Sequence, residues 1–108
     1  MTILEHQKEF DAAIQTHTIV IVQFGADTCA PCKALQNRIE VWNRAHPEID
    51  PLYVSVVDFR ELCAQLGVFT VPTIFVYAEG RLTLRQSGYF SLDEMLQQIE
   101  KYQRLLAE

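Results

Sequence analysis

The 108-residue sequence has no long apolar run, no excess of basic residues and only three cysteines. Its longest apolar stretches are a handful of residues, whereas a helix that crosses a membrane needs about 20. The formal net charge is −5, and a surface that binds nucleic acid needs a basic stripe. We therefore expect neither a membrane protein nor a nucleic-acid-binding protein.

The N-terminal stretch MTILEHQKEF has no basic segment leading into an apolar one. This predicts no secretory signal and a cytoplasmic location. An odd number of cysteines argues against a scaffold of structural disulfides. With 49% hydrophobic residues and only four Gly and four Pro, the composition indicates one globular domain over residues 1–108, which we expect to be a monomer.

Hydrophobic patterning predicts alternating helices and strands. In chain order, the predicted elements are a helix over 5–16, a strand over 18–24, a helix through 33–46 that Pro47 ends, a strand over 51–57, a helix over 58–67 capped by Asp58 and stopped by Gly67, strands over 72–78 and 81–87, and a helix that Ser91 and Glu94 open as a capping box. Residues 2–4 can add an edge strand. The order predicts an α/β fold, with a central mixed sheet of four to five strands and helices on both faces.

Cys29 and Cys32 stand where the first long strand gives way to a helical pattern. Pro31 between them is tolerated in a first helical turn, because the missing N–H has no partner there. Residues three apart in that turn share a face, so the two sulfurs can bond. Cys29 faces the positive end of the helix dipole, which lowers the pKa of its thiol below about 8.5. Lys33 adds a nearby positive charge.

Cys32 lies one turn deeper in the predicted helix, so we expect it to be more buried than Cys29. This asymmetry predicts dithiol–disulfide exchange in two steps. Cys29 attacks a substrate disulfide, and Cys32 then attacks the mixed disulfide and releases the reduced product.

Two other interpretations of the cysteine pair are weaker. A zinc site usually needs a second close pair of ligands, and the remaining candidates form none; they are Cys63, His6, His17 and His46. We therefore predict no metal. A purely structural disulfide would close a very short loop and gain little entropy. Cys63 is most simply a small buried side chain, and a regulatory or dimer-forming thiol is the alternative.

Three motifs give the sequence a resemblance to the thioredoxin family. CAPCK, residues 29–33, resembles the active-site motif of that family, with Ala30 where its best-known members carry Gly. VPT, residues 71–73, resembles its cis-proline loop, and SGYFS, residues 87–91, resembles the glycine-bearing turn before its last helix. The order and spacing match over nearly the whole chain, which implies the thioredoxin fold.

The resemblance also implies a function. It implies reduction of protein disulfides with no cofactor other than the Cys29–Cys32 disulfide, and a thioredoxin-reductase-like, flavin-dependent electron donor. The bond before Pro72 would be cis, and the backbone of Val71 would pair with an extended segment of a disulfide-bearing protein substrate. Thr28, Pro72 and Gly88 would line the groove around Cys29.

The sequence departs from the family pattern at supporting positions. Gln23 stands six residues before Cys29, where typical thioredoxins have a buried Asp, and LYVSVVD has no counterpart of the Lys that often partners this Asp. Gln cannot titrate, which argues against general-base help to Cys32. Thr28 replaces a frequent Trp. These departures motivate an alternative hypothesis, a thioredoxin-fold protein-binding module with little redox turnover.

Overall fold

The computed structural model describes residues 1–107, which form five strands and four helices. In chain order these are β1 (Thr2–Ile3), α1 (Gln7–Thr16), β2 (Ile19–Gly25), α2 (Ala30–Asn43), β3 (Leu52–Ser55), α3 (Arg60–Leu66), β4 (Thr73–Ala78), β5 (Arg81–Ser87) and α4 (Leu92–Leu106). None of the helices in this part of the chain is long and apolar enough to cross a membrane.

The strands form one mixed sheet in the order β1-β3-β2-β4-β5. β1, β3 and β2 run parallel, whereas β4 is antiparallel to β2 and β5 is antiparallel to β4. All seven residues of the central β2 are buried, which explains why its sequence shows no alternation. The predicted mixed α/β sheet is confirmed, including the short edge strand at the N-terminus.

Each face of the sheet carries a separate apolar core. On one face, Phe10 of α1 and Leu62 of α3 pack with Val22, Phe24 and other strand residues. On the opposite face, Ile39 of α2 and Ile99 of α4 pack with side chains of β2 and β4. Burying one such side chain completely is worth about 1.5–3 kcal/mol, so the two cores hold all four helices against the sheet.

Two predicted helix ends are wrong. α2 ends at Asn43, ahead of Pro47, because the Asn43 side-chain amide donates to the carbonyl groups of His46 and Ile49 and closes a turn there. The cap of α3 is Phe59 and not Asp58, whose backbone N–H donates to the Ser55 hydroxyl instead.

Gly67 ends α3 as predicted, and of the predicted capping box at α4 only the Ser91 half is formed. Gly67 ends α3 with a positive φ of 74°, a conformation that favours glycine. Ser91 caps α4, accepting a hydrogen bond from the backbone N–H of Glu94.

The antiparallel pairing of β2 with β4 brings two loops together at one end of these strands. Phe24, near the end of β2, pairs with Thr73, the first residue of β4. The loop that leads from β2 into α2 therefore lies beside the loop that precedes β4. These two loops carry the CAPCK and VPT motifs.

Candidate active site

Cys29 and Cys32 form a disulfide at the start of α2, with their Cα atoms 5.2 Å apart. Cys29 is the N-cap residue of this 14-residue helix, and Pro31 lies in its first turn. A proline is compatible with this position because the first N–H groups of a helix have no partner within it. The local fold is therefore the one that the spacing of the two cysteines predicts.

The two cysteines differ in exposure and in hydrogen bonding. Cys29 is half-buried, whereas Cys32 is 0% exposed. The backbone N–H of Cys32 donates to the Cys29 sulfur across 3.2 Å. An N–H at a helix N-terminus that points at sulfur stabilises a thiolate there, together with the helix dipole.

Gln23 of β2 lies beneath the disulfide and is completely buried. Its side-chain amide donates to the backbone carbonyl of Cys32 across 2.7 Å. Its other polar atom, Oε1, has no hydrogen-bond partner among residues 1–107. Burying an acceptor without a donor costs free energy.

Tyr53 of β3 is a second polar residue beneath Cys32, and sequence reasoning did not single it out. It pairs in register with Gln23, which places both side chains on the α2 face of the sheet. Burial raises the pKa of the Tyr53 phenol, and the negative charge of Asp27 raises it further. No local sequence signal marks this residue, because the register between β2 and β3 brings it to the site.

The proline loop on the other side of the site has the predicted form. The Val71–Pro72 peptide bond is cis, and Pro72 is buried. The backbone N–H of Gly88 donates to the Pro72 carbonyl across 3.3 Å, and Gly88 has a positive φ of 70°. This contact joins the VPT loop to the turn before α4.

The other predicted site residues surround the disulfide on the surface. Thr28, Ala30, Pro31 and Lys33 are exposed, and Val71 is half-buried. Val71 also lines a cavity of about 240 Å³ between its loop and α3. Close to this loop, Phe69 is 81% exposed, an apolar side chain at the surface that the sequence analysis did not mark.

Cys63 lies away from the pair, on the α1 and α3 face of the sheet. It is a free, buried cysteine, and burial raises the pKa of its thiol. Within residues 1–107, no cluster of three or more His, Cys, Asp or Glu side chains is arranged to hold a metal ion.

Comparisons with known proteins agree with this geometry. The family profile described as Thioredoxin matches residues 1–101. Thioredoxin 1 of Plasmodium falciparum is 32% identical over 101 residues, which are 93% of this chain and 95% of that protein. Thioredoxin-2 of Pyricularia oryzae is 30% identical over 77 residues, 71% of this chain but 45% of that longer protein.

A solved structure of Plasmodium falciparum thioredoxin superposes with a TM-score of 0.83 at 29% identity. The superposition covers 94% of this chain and 99% of that one. The similarity therefore extends over both cores and both loops of the site.

Proposed function

This chain belongs to the thioredoxin family and is a thiol–disulfide oxidoreductase, and we propose that Cys29 is its nucleophile and Cys32 its resolving cysteine. The observation that carries this assignment is the difference between the two sulfurs. Cys29 is accessible and accepts the N–H of Cys32 at the helix start, whereas Cys32 is completely buried. A substrate can reach only the first.

The reaction begins with the reduced pair. The Cys29 thiolate attacks a substrate disulfide, a Cys29–substrate disulfide forms, and one substrate sulfur leaves as a thiolate that takes a proton from water. The Cys32 sulfur then attacks Cys29 and releases the second substrate thiol. The substrate gains two electrons, and the Cys29–Cys32 disulfide of the structure is the oxidised product.

The surface around Cys29 supports an extended protein segment as the substrate. The backbone of Val71 lies just before β4, outside the paired residues of the sheet, where a substrate strand can pair with it. Thr28 and Gly88 are exposed on either side, and Phe69 offers an apolar surface. We propose disulfide-bearing proteins as substrates, with Pro72 shaping the groove.

The remaining requirements follow from this chemistry. The disulfide must be reduced again after each cycle, and we propose a thioredoxin-reductase-like protein as the electron donor. We propose no metal and no bound cofactor, because the two sulfurs carry both electrons. A reducing compartment such as the cytoplasm suits this direction of electron flow. No observation favours the alternative of a binding module without redox turnover.

Insulin reduction with dithiothreitol tests the activity, since the freed chains precipitate and scatter light. We expect the wild type to accelerate precipitation above the protein-free rate. Cys29→Ser and Cys32→Ser should abolish the acceleration, and Cys63→Ala, the matched control, should retain it. Equal turbidity with and without the wild-type protein would contradict the activity.

A trapping experiment tests the roles of the two cysteines. In Cys32→Ser the second step is blocked, so mixed disulfides between Cys29 and substrate proteins should accumulate and release with dithiothreitol. Cys29→Ser should trap none. Trapping by Cys29→Ser and not by Cys32→Ser would reverse the assignment, and capture of one partner without any mixed disulfide would favour the binding module.

A further inference from the structure

The phenol of Tyr53 and the Cβ atom of Cys32 both lie next to Gly25, a residue without a side chain. A Cβ atom added to Gly25 would overlap the Tyr53 hydroxyl, and it would lie 2.9 Å from Tyr53 Cζ and 3.2 Å from Cys32 Cβ. The hydroxyl and the resolving cysteine therefore adjoin the same small space. A glycine is required at this position because any side chain would displace the phenol.

The surroundings of this space are almost dry. Tyr53 is 9% exposed, while Gln23 and Cys32 are 0% exposed. Gln23 holds the Cys32 carbonyl with its amide group and keeps Oε1 unpartnered. Beneath Cys32 the chain thus provides one hydroxyl and one acceptor, the acceptor at the position where the resemblance leads one to expect a buried Asp.

The charges near this space leave the phenol in its neutral form. Burial and the neighbouring Asp27 carboxylate raise the pKa of Tyr53, so its O–H stays available as a donor. The other titratable groups around Cys32 are its partner Cys29 and the exposed Lys33 on α2. Gln23 carries no charge at any pH. Tyr53 is therefore a buried side chain next to Cys32 that carries an O–H donor.

We propose that the Tyr53 hydroxyl stabilises the Cys32 thiolate of the reduced protein, in the role that a titrating side chain would otherwise fill. The inference rests on the proposed function of Cys32 as the resolving cysteine. Hydrogen bonds to a charged acceptor are stronger than bonds to a neutral one, so the bond favours the thiolate over the thiol and lowers the barrier to resolution.

The step balances without a protein base. The Cys32 thiol gives its proton to water, and its thiolate attacks the Cys29 sulfur. The Cys29–Cys32 bond forms, the Cys29–substrate bond breaks, and the substrate sulfur leaves with the electron pair and takes up a proton from water. The two cysteines are oxidised by two electrons, and the substrate disulfide is reduced by the same two.

Tyr53→Phe tests the proposal, because it removes the hydroxyl and keeps the ring. In a Cys29→Ser, Cys63→Ala background, Cys32 is the remaining thiol, and the NMR chemical shift of its ¹³C-labelled Cβ, followed against pH, reports its pKa without interference from the four tyrosines. We expect Tyr53→Phe to raise that pKa by about one unit, a tenfold lower thiolate fraction near neutrality. This equilibrium titration needs no substrate, so it is independent of whether insulin is reduced.

Tyr77→Phe is the matched control. Tyr77 is 8% exposed, has a pKa raised mainly by burial, and lies in the core on the opposite face. It should leave the pKa of Cys32 unchanged. The proposal is wrong if Tyr53→Phe shifts the Cys32 pKa no more than Tyr77→Phe does, with both variants folded by circular dichroism.

Incorporation of 3-fluorotyrosine gives a second readout that does not depend on a substitution in the core. Fluorination makes the phenol a stronger donor, so the pKa of Cys32 should fall in the same background. The fluorinated Tyr53→Phe variant should not show this fall. A fall of equal size in both would assign the effect to another tyrosine and overturn the proposal.

Discussion

Cys32 and Cys63 are two buried cysteines on opposite faces of one sheet, with exposed fractions of 0% and 3%. Cys32 lies in the first turn of α2, bonded to the half-buried Cys29 and above the Gln23 amide. Cys63 lies inside α3 among apolar side chains, and burial raises the pKa of its thiol. Burial alone therefore does not distinguish a redox cysteine from a packing cysteine.

The difference lies in what each helix places beside its sulfur. In α2, the N–H of Cys32 at the helix start also points at a second sulfur, that of Cys29, and β2 provides a polar group underneath. In α3, the N–H of Cys63 is already bonded to the Phe59 carbonyl, and the side chain meets a hydrocarbon core. Position along the helix and the polarity of the strand below decide which thiol exchanges electrons.

Alkylation of the reduced protein is the strongest test of whether thiols at the start of α2 and inside α3 differ in reactivity. With iodoacetamide at pH 7 we expect Cys29 to react at least about 100-fold faster than Cys63, because the first is a stabilised, accessible thiolate. Since burial raises the pKa of Cys63, its reaction should speed up only as the pH rises well above neutrality. Mass spectrometry of tryptic peptides measures both rates.

A small unstructured cysteine peptide is the reference for this rate. Cys29 should exceed the reference at pH 7, and Cys63 should fall below it. If Cys29 is alkylated no faster than the peptide, it is not a stabilised thiolate, and the proposed mechanism is wrong.

Gln23→Glu sharpens the comparison by placing a titratable group below Cys32. The introduced carboxyl is buried, and when ionised it cannot donate to the Cys32 carbonyl as the amide does. Its pKa in the folded state should therefore be raised above the unfolded value near 4.3. Stability that is present below that value is then lost as the pH rises through the folded pKa.

Urea unfolding measures this loss. Between pH 5.5 and pH 8, we expect the free energy of unfolding of Gln23→Glu to fall by about 2 kcal/mol relative to the wild type. Gln97→Glu, at an exposed position of α4, is the control and should show no such trend. If the difference in free energy of unfolding between Gln23→Glu and the wild type is the same at both pH values, the site is more hydrated than its burial indicates.

Much of this arrangement could be predicted from the sequence because it depends on local signals. The apolar run of β2, Pro31 at the helix start and the spacing of Cys29 and Cys32 each act within a few residues. Gln23, by contrast, is singled out by the resemblance, because it stands six residues before Cys29 where typical thioredoxins have a buried Asp.

Tyr53 could not be found in this way, because its role depends on the register between β2 and β3 and on the missing side chain of Gly25. The end of α2 was misplaced for a different reason. The Asn43 side chain closes the turn through contacts with His46 and Ile49, a few residues further along the chain, and hydrophobic spacing does not register such a hydrogen bond from a side chain to the backbone.

Arg85→Ala tests whether the protection of Cys63 from alkylation depends on the packing of α3. The Arg85 guanidinium donates to the carbonyls of Leu66 and Gly67 at the end of this helix, and it lies 5.0 Å from the centre of the Phe75 ring. Removing it should lower the free energy of unfolding by about 1–2 kcal/mol.

If α3 opens locally, alkylation of Cys63 should accelerate by about fivefold to tenfold in this variant, with Cys29 unchanged. Arg81→Ala, at the exposed start of β5, is the control. An unchanged Cys63 rate despite lower stability would show that Cys63 is reached only through global unfolding.

The fluorescence of Trp42 tests whether the structural change on reduction is confined to the Cys32 end of α2. The contrast between Cys32 and Cys63 assumes that it is. Its indole N–H donates to Glu100 across 2.9 Å, and its ring stacks on His46 with centroids 4.1 Å apart. Trp42 lies ten residues beyond Cys32, about 15 Å along the helix axis. We therefore expect nearly the same fluorescence from the oxidised and the reduced protein.

Thr28→Trp in a Trp42→Phe background provides the positive control, because it places the indole beside Cys29. Its emission should change clearly on reduction, since a disulfide quenches a neighbouring indole and a thiol pair does so less. If wild-type Trp42 responds as strongly as this variant, reduction reorganises α2 along its whole length. Cys63 would then also have to be compared in both redox states, because helix packing on the sheet would change with them.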